Sequence, residues 1–457
     1  MGTHTQHREQ AGSYYLALGA VFLVLLAAFG GASRADELQQ FFVRFAAIAA
    51  IAAAAWPPGS SALRDARAPA IGAALIYLLV LVQLVPLPPA LWSHMPGRGI
   101  YVDVARQTGG LGWRPWTLSP DLTLNALAAL LPATAIGLIA LALDFRRRVL
   151  LTRLVVAIAS ASALLGLMQF AAAGTSLHLF RTTSEASAVG LFANRNHQAV
   201  LMACALPLLA ASASIRMHQV DYSRRHFAIA IGAALLLLMG LASTGSRMGL
   251  LLGSVGLAAG TGIYLTTAPL AGSRKRNLRI CAAGGGVTLA ALLPVSLLVA
   301  RSGALARLIA EPVDQTRAAA WPPMVHAARM FLPFGSGFGT FDPVYRMVEP
   351  DSLLSTIYLN EAHNEPLQLA IEGGLPALLL LLLFLVWWAL AVVHAVRPRE
   401  SNVQRALAMA MATATLIMML SSLVDYPLRT PLLSALFALA CVELVRAKRH
   451  ADAPRGQ

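Results

Sequence analysis

Between Ser13 and Gly31, and again between Leu375 and Val393, no side chain carries a charge, and apolar runs of this kind recur along the whole chain. A helix needs about 20 such residues to cross the hydrocarbon core of a bilayer, where every backbone amide must find its partner inside the segment. Composition points the same way. The chain is 57% hydrophobic and 12% charged, with mean hydropathy +0.65, and a soluble domain carries roughly twice that charged fraction. The expected fold is an all-α integral membrane protein with a large loop between late spans.

Spans are expected at Ser13–Gly31, Phe41–Trp56, Ala68–Leu87, Leu122–Leu143, Leu151–Ala173, Ala199–Ala213, Phe227–Ala242, Met248–Thr267, Ile280–Ala300, Leu369–Val393, Ala406–Leu423 and Pro431–Val445. That is a bundle of about twelve helices, each sized to one crossing, with both termini on the same side. The first apolar run exceeds the ~7–15 residues of a signal-peptide core, so it reads as an uncleaved helix. Arg44, near the start of the second span, is expected to snorkel toward the headgroups.

The net charge of +14 would suit nucleic acid, but its placement argues otherwise. Basic residues cluster in alternate short loops: Arg146, Arg147, Arg148 and Arg153; Arg216, Arg224 and Arg225; Arg274, Lys275, Arg276 and Arg279; Arg397, Arg399 and Arg405; then Arg446, Lys448, Arg449 and Arg455. That alternation is the signature of cytoplasmic loops and excludes a nucleic-acid partner. Acidic residues such as Asp103, Asp121, Glu311, Asp314, Asp342, Glu361 and Glu365 occupy the opposite loops. Cys204, Cys281 and Cys441 all fall in expected spans, so neither a disulfide framework nor a metal site is expected.

The long polar interruption from Arg301 to Gln368 holds the densest chemistry. It carries Arg317, the glycine run Phe334–Phe341 and His363-Asn364. Asn364 suits an N-cap and Pro366 the first helical turn, which sets His363 at the positive end of the next span. A histidine beside a helix terminus that attracts anions is suited to take a proton from an attacking hydroxyl. Arg247 opens a span after a tight outer turn, against the inside bias of the other basic residues, and Arg317 lies in a short loop helix. Two guanidinium forks of this kind are suited to grip a diphosphate. Asn194, Asn196 and His197 put more polar groups at one helix start than capping alone requires. GSGFG lacks the lysine of a phosphate loop and reads as a flexible turn; Glu372-Gly373-Gly374 reads as a site of close packing or a kink. In the outer loop after the third span, Trp92, Tyr101, Trp113 and Trp116 read as interfacial aromatics, with sugar stacking as the alternative.

GLFANRNHQAVLMACALPLL, STGSRMGLLLG, Arg317–Trp321, FGSGFGTF, AHNEPLQLAIEGGLPALLLLL and LVDYPLRTPLLSALFALA, in that order, resemble the bacterial O-antigen ligase and polysaccharide polymerase family. The resemblance divides the chain into amino-terminal helices (1–189), a ligase-like region (190–446) with a periplasmic loop at 301–368, and a cytoplasmic tail (447–457). It implies a bacterial inner-membrane glycosyltransferase with its active site on the periplasmic side. The glycan would move from undecaprenyl diphosphate to a hydroxyl of lipid A-core or of a growing polysaccharide, with no cofactor and no metal. The family's catalytic histidine falls on His363, its diphosphate-binding arginines on Arg247 and Arg317, and Asn194, Asn196, His197 and Asn364 become candidate substrate contacts. Glu365-Pro366 departs from the pair found in many relatives. A carrier of small anions and a scaffold for polysaccharide export are the rival readings; few charges lie deep in the spans and no internal repeat is evident, which counts against the carrier.

Overall fold

The computed structural model describes residues 2–34, 36–55, 67–172, 177–181, 187–269, 315–354, 359–397 and 401–452. Within them the chain is helical apart from a two-residue antiparallel pairing of Pro86 and Leu87 with Pro115 and Arg114. Long apolar helices span Gly2–Phe29, Phe145–Ala171, Arg195–Met217, Arg224–Ser243, Arg247–Thr267, Glu365–Val396 and Asn402–Ser421. Pro120–Ala142 is long enough to cross only as two helices joined at Leu130, before Pro132. Gln39–Ala55 and Arg67–Gln83 are shorter but equally apolar, and Pro431–Asp452 closes the bundle. The expected span at Ile280–Ala300, the basic loop Arg274–Arg279, Cys281 and the loop residues through Asp314 lie outside the described residues.

Arg195–Met217 is the axis of the bundle, buried from His197 to Leu208 and packed on four neighbours: Phe145–Ala171, Arg224–Ser243, Arg247–Thr267 and Asn402–Ser421. It runs parallel to Arg247–Thr267, with Gly249 against Ala199 and Gly256 against the Ala203 carbonyl. A methyl on Gly256 would come within 2.3 Å of that oxygen, so small residues set how closely these helices approach, as membrane helix pairs require. Asn402–Ser421 lies antiparallel to the axis and tied to it where the Cys204 thiol meets the Ala414 carbonyl.

These directions sort the charges. The amino termini of Arg195–Met217, Arg247–Thr267 and Glu365–Val396 gather at one end, with Ser421 and the loop that follows it. Arg146–Arg148, Arg216, Arg224, Arg225, Arg397, Arg405 and Arg446 lie at the other. There a buried ion pair, Arg148 Nε to Glu443 Oε2 at 2.6 Å, joins the Phe145–Ala171 and Pro431–Asp452 helices. Arg44 departs from expectation: it does not snorkel but turns toward the neighbouring helix and donates to the Asn125 side-chain oxygen. An amide inside the bundle takes one of its terminal nitrogens, while its Nε is buried without a partner.

Between the Arg67–Gln83 and Pro120–Ala142 helices the chain forms a cap on the end where those amino termini gather. Its segments Pro89–Trp92 and Gly99–Gln107 are short helices. The cap rests on the helix Gln315–Phe331 and the glycine run after it: Leu118 N donates to Ser336 O at 2.8 Å, and Thr123 Oγ1 to Phe338 O at 2.7 Å.

Candidate active site

The helix that carries the site begins where the sequence says it should. Asn364 caps it, its side-chain oxygen accepting from Leu367 N at 2.8 Å, and Pro366 sits in the first turn. Just before the cap, His363 has φ of 50°, a left-handed conformation that costs a non-glycine residue energy and persists only when its surroundings enforce it. They do so here through Glu365 N, which donates to Ser422 O at 2.8 Å, and Asn364 Nδ2, which donates to Leu423 O at 2.7 Å. The His363 segment is thus stitched to the loop between the last two helices.

That loop supplies the residue that sequence reasoning missed. Asp425 Oδ1 lies 3.2 Å from His363 Nδ1, with side chains 2% and 11% exposed respectively. Asn196 Nδ2 donates to Asp425 Oδ2 at 2.7 Å, and Tyr426 N to Oδ1 at 2.9 Å. His197 Nε2 is 3.8 Å from Oδ1, too far for a hydrogen bond, and the atom is buried without another partner. Burial alone would raise the Asp425 carboxyl; the flanking His197 and His363 hold it well below the usual carboxylate range. The Tyr426 ring stands edge-on to both imidazoles, 4.7 Å from His363 and 5.2 Å from His197. An ionised carboxylate behind a partly open imidazole orients the ring and stabilises its protonated form, the arrangement of a general base.

The candidate residues converge unequally. Asn196 and His197 reach the site, whereas Asn194 caps the axis helix by accepting from Asn196 N at 2.8 Å. Arg247 is exposed in the first turn of its helix, which starts beside Ala199 and so on the same end of the bundle as His197. Arg317 lies in the helix Gln315–Phe331, and its side chain falls outside the described residues. A further guanidinium, Arg429, reaches Glu365, two residues after His363. Arg429 Nε and Nη2 fork onto Glu365 at 2.7 and 3.1 Å, with Glu361 at 3.2 Å and Glu372 at 3.8 Å. Burial works against its charge, but Glu361, Glu365 and Glu372 outweigh it and keep it cationic. Gln368 bridges Glu361 and Glu372. Burial, with Glu372 close by, pushes Glu361 up to about 7 despite Arg429. The only signal in sequence for Asp425 and Arg429 was their position as charges inside an otherwise apolar closing stretch.

The glycine run is not a flexible turn. Gly335, Gly337 and Gly339 all take positive φ, and the run folds over the kink at Gly374, where the helix backbone breaks at φ 60°, ψ −152°. Ser336 N and Gly337 N donate to Ile371 O and Glu372 O, each at 2.9 Å, and Leu375 N to Pro333 O at 2.8 Å. The run therefore satisfies the carbonyls and amide that the kink leaves open. From the amino-terminal half, buried Gln83 joins in: its Nε2 donates to Glu372 O at 3.1 Å and its Oε1 accepts from Phe338 N at 2.8 Å.

Fold and site together define a multi-pass helical membrane protein with a histidine–carboxylate site where several helix amino termini meet. The model of the O-antigen ligase family matches residues 232–382, and through that stretch the chain is similar to the O-antigen ligase family. That likeness supports an O-antigen ligase-type membrane glycosyltransferase in general. No curated protein matches the chain. The matched stretch contains Arg247, Arg317 and His363; Asn196, His197, Asp425 and Arg429 come to the site from outside it.

Proposed function

We propose that the protein transfers a glycan from undecaprenyl diphosphate to an acceptor hydroxyl at the periplasmic face of the bacterial inner membrane, the acceptor being lipid A-core or a growing polysaccharide. His363 is the general base. With Asp425 ionised, the His363 Nδ1 hydrogen is directed to the carboxylate and Nε2 keeps its lone pair for the acceptor proton. The acceptor oxygen attacks the anomeric carbon from the face opposite the diphosphate. The new C–O bond forms as the bond to diphosphate breaks, configuration inverts, and the proton passes to Nε2. Undecaprenyl diphosphate departs carrying the displaced electron pair.

Diphosphate is a good leaving group, so the site requires no general acid. Arg247 and Arg317 are assigned to its oxygens, in the electrostatic role that typically contributes about 3–4 kcal/mol per donor. The helix amino termini at this end of the bundle favour the same anion. Ligase and polymerase share this chemistry and differ in the acceptor.

The observation that carries the proposal is the buried Asp425 behind His363. The assay is purified protein in lipid, supplied with undecaprenyl-linked glycan and acceptor. Loss of a general base typically costs ~10²–10⁴-fold in rate. His363→Gln, which retains hydrogen bonding but cannot accept the proton, is expected to fall in that range while still binding donor. Asp425→Asn, which holds the ring without the charge, is expected to fall in the same direction. Near-parental turnover by His363→Gln in folded protein refutes the assignment.

A further inference from the structure

The cap on the site end of the bundle holds a half-open pocket of about 170 Å³, lined by Trp92, Arg98, Tyr101, Arg114, Pro115, Thr117, Leu118 and Pro120. Two of the wall residues are arginines, and among the described residues neither has a carboxylate partner. Arg98 is 4% exposed. One of its terminal nitrogens donates to the Trp116 carbonyl, while its Nε is buried with no partner. Arg114 lies over the Trp92 ring, 5.4 Å from its centroid, and the Trp92 indole N–H is already committed to Gly112 O at 2.9 Å.

A buried guanidinium without a counter-ion is costly, because desolvation is not repaid by a neighbouring charge. Burial here lowers Arg98 to about 10. Two other enclosed arginines in the described structure lie beside carboxylates: Arg148 beside Glu443, and Arg429 beside Glu361, Glu365 and Glu372. In the cap the opposite charge must come from outside the described residues. The cavity has the arginines on one side and the partly exposed Tyr101 on the other, with the buried Trp92 beneath Arg114, a pairing that receives a sugar ring bearing an acidic group.

We infer that this cavity binds a monosaccharide unit carrying an oxyanion, a carboxylate or a phosphate, with Arg98 and Arg114 on the anion and Tyr101 against the ring. That the sugar belongs to the transferred glycan rests on the proposed transfer reaction; the anion site does not. Thr117, in the cavity wall, meets the glycine run at Gly337. That run holds the kink of the helix that begins just after His363, so the cavity is coupled to the His363 segment by direct packing.

The test is saturation-transfer NMR on the full-length protein in nanodiscs of zwitterionic lipid, with D-glucuronate, glucose 6-phosphate and glucose as probes. A signal from glucuronate or from glucose 6-phosphate, competed by its unlabelled excess and absent for glucose, is expected, and whichever acid binds names the oxyanion. Arg114→Gln is expected to weaken that binding by about tenfold or more, the scale of a lost charge-assisted fork. Arg106→Gln, in the same cap but outside the cavity, should leave it unchanged. Equal signals from glucose and glucuronate, or undiminished binding in Arg114→Gln, would overturn the inference, as would no binding by either acid. Repeating the titration on His363→Gln separates the two readings. Binding without transfer activity in the parent protein sinks the transfer reaction alone; transfer without binding sinks the cavity alone.

Discussion

His363 occupies a backbone conformation that its own side chain disfavours, and the residues that enforce it also deliver its partner. Ser422, Leu423 and Asp425 belong to one loop, and the same loop carries Arg429. The catalytic role proposed for the histidine is therefore tied to a cluster in which Glu361, Glu365 and Glu372 share one guanidinium. Glu361, pushed up to about 7 from an ordinary 4.5, keeps its proton in the folded state over a range where the unfolded chain releases it. Its contribution to stability is complete below about pH 4.5 and is lost as pH rises through about 7. Thermal unfolding in detergent should show Tm falling across that window, and Glu361→Gln should flatten the fall. A parental Tm that rises over the same window would contradict the assignment.

Among the elements, the glycine run and the kinked helix act as a single piece. The kink at Gly374 opens the helix ladder, and the Pro333–Phe341 segment closes it again with its own amides and carbonyls. The close fit leaves no room for side chains: a methyl on Gly337 would lie 2.0 Å from Thr117 Oγ1, at a φ of 114°. Strain at such a position costs on the order of 1–3 kcal/mol, before the steric clash is counted. Gly337→Ala is accordingly expected to lower Tm and to reduce glycan transfer, although the residue touches no reacting atom. Full activity and unchanged Tm in this variant would show that the run is a passive linker. In sequence the run reads as a turn because its spacing fits no phosphate loop; that the turn is rigid follows only from the helix it covers.

For the whole molecule, the separation of charge between the two ends of the bundle gives the orientation its physical basis. Basic clusters collect away from His363, and by the positive-inside rule this supports the proposed periplasmic placement of His363. A reporter fused after Asp351 is expected to behave as extracytoplasmic; cytoplasmic behaviour there would invert the site and remove its access to a periplasmic donor. The amino-terminal third, which resembles the family in hydropathy alone, is part of the site's support through Gln83 and Thr117.

Hydropathy, charge alternation and cap residues act over a few turns of helix, and for that reason the sequence alone determined the helical membrane class, the polar loop, the Asn364 cap and His363 as the chief candidate. Asp425 and Arg429 were out of reach by the same logic. They meet His363 and Glu365 across separations of 62 and 64 residues, which no local pattern encodes. Arg44 shows the same limit on a smaller scale, since its partner Asn125 lies on another helix. Which charge neutralises which is settled by where the helices pack, because a buried ion is stable only beside a partner, and that proximity exists only in the tertiary structure.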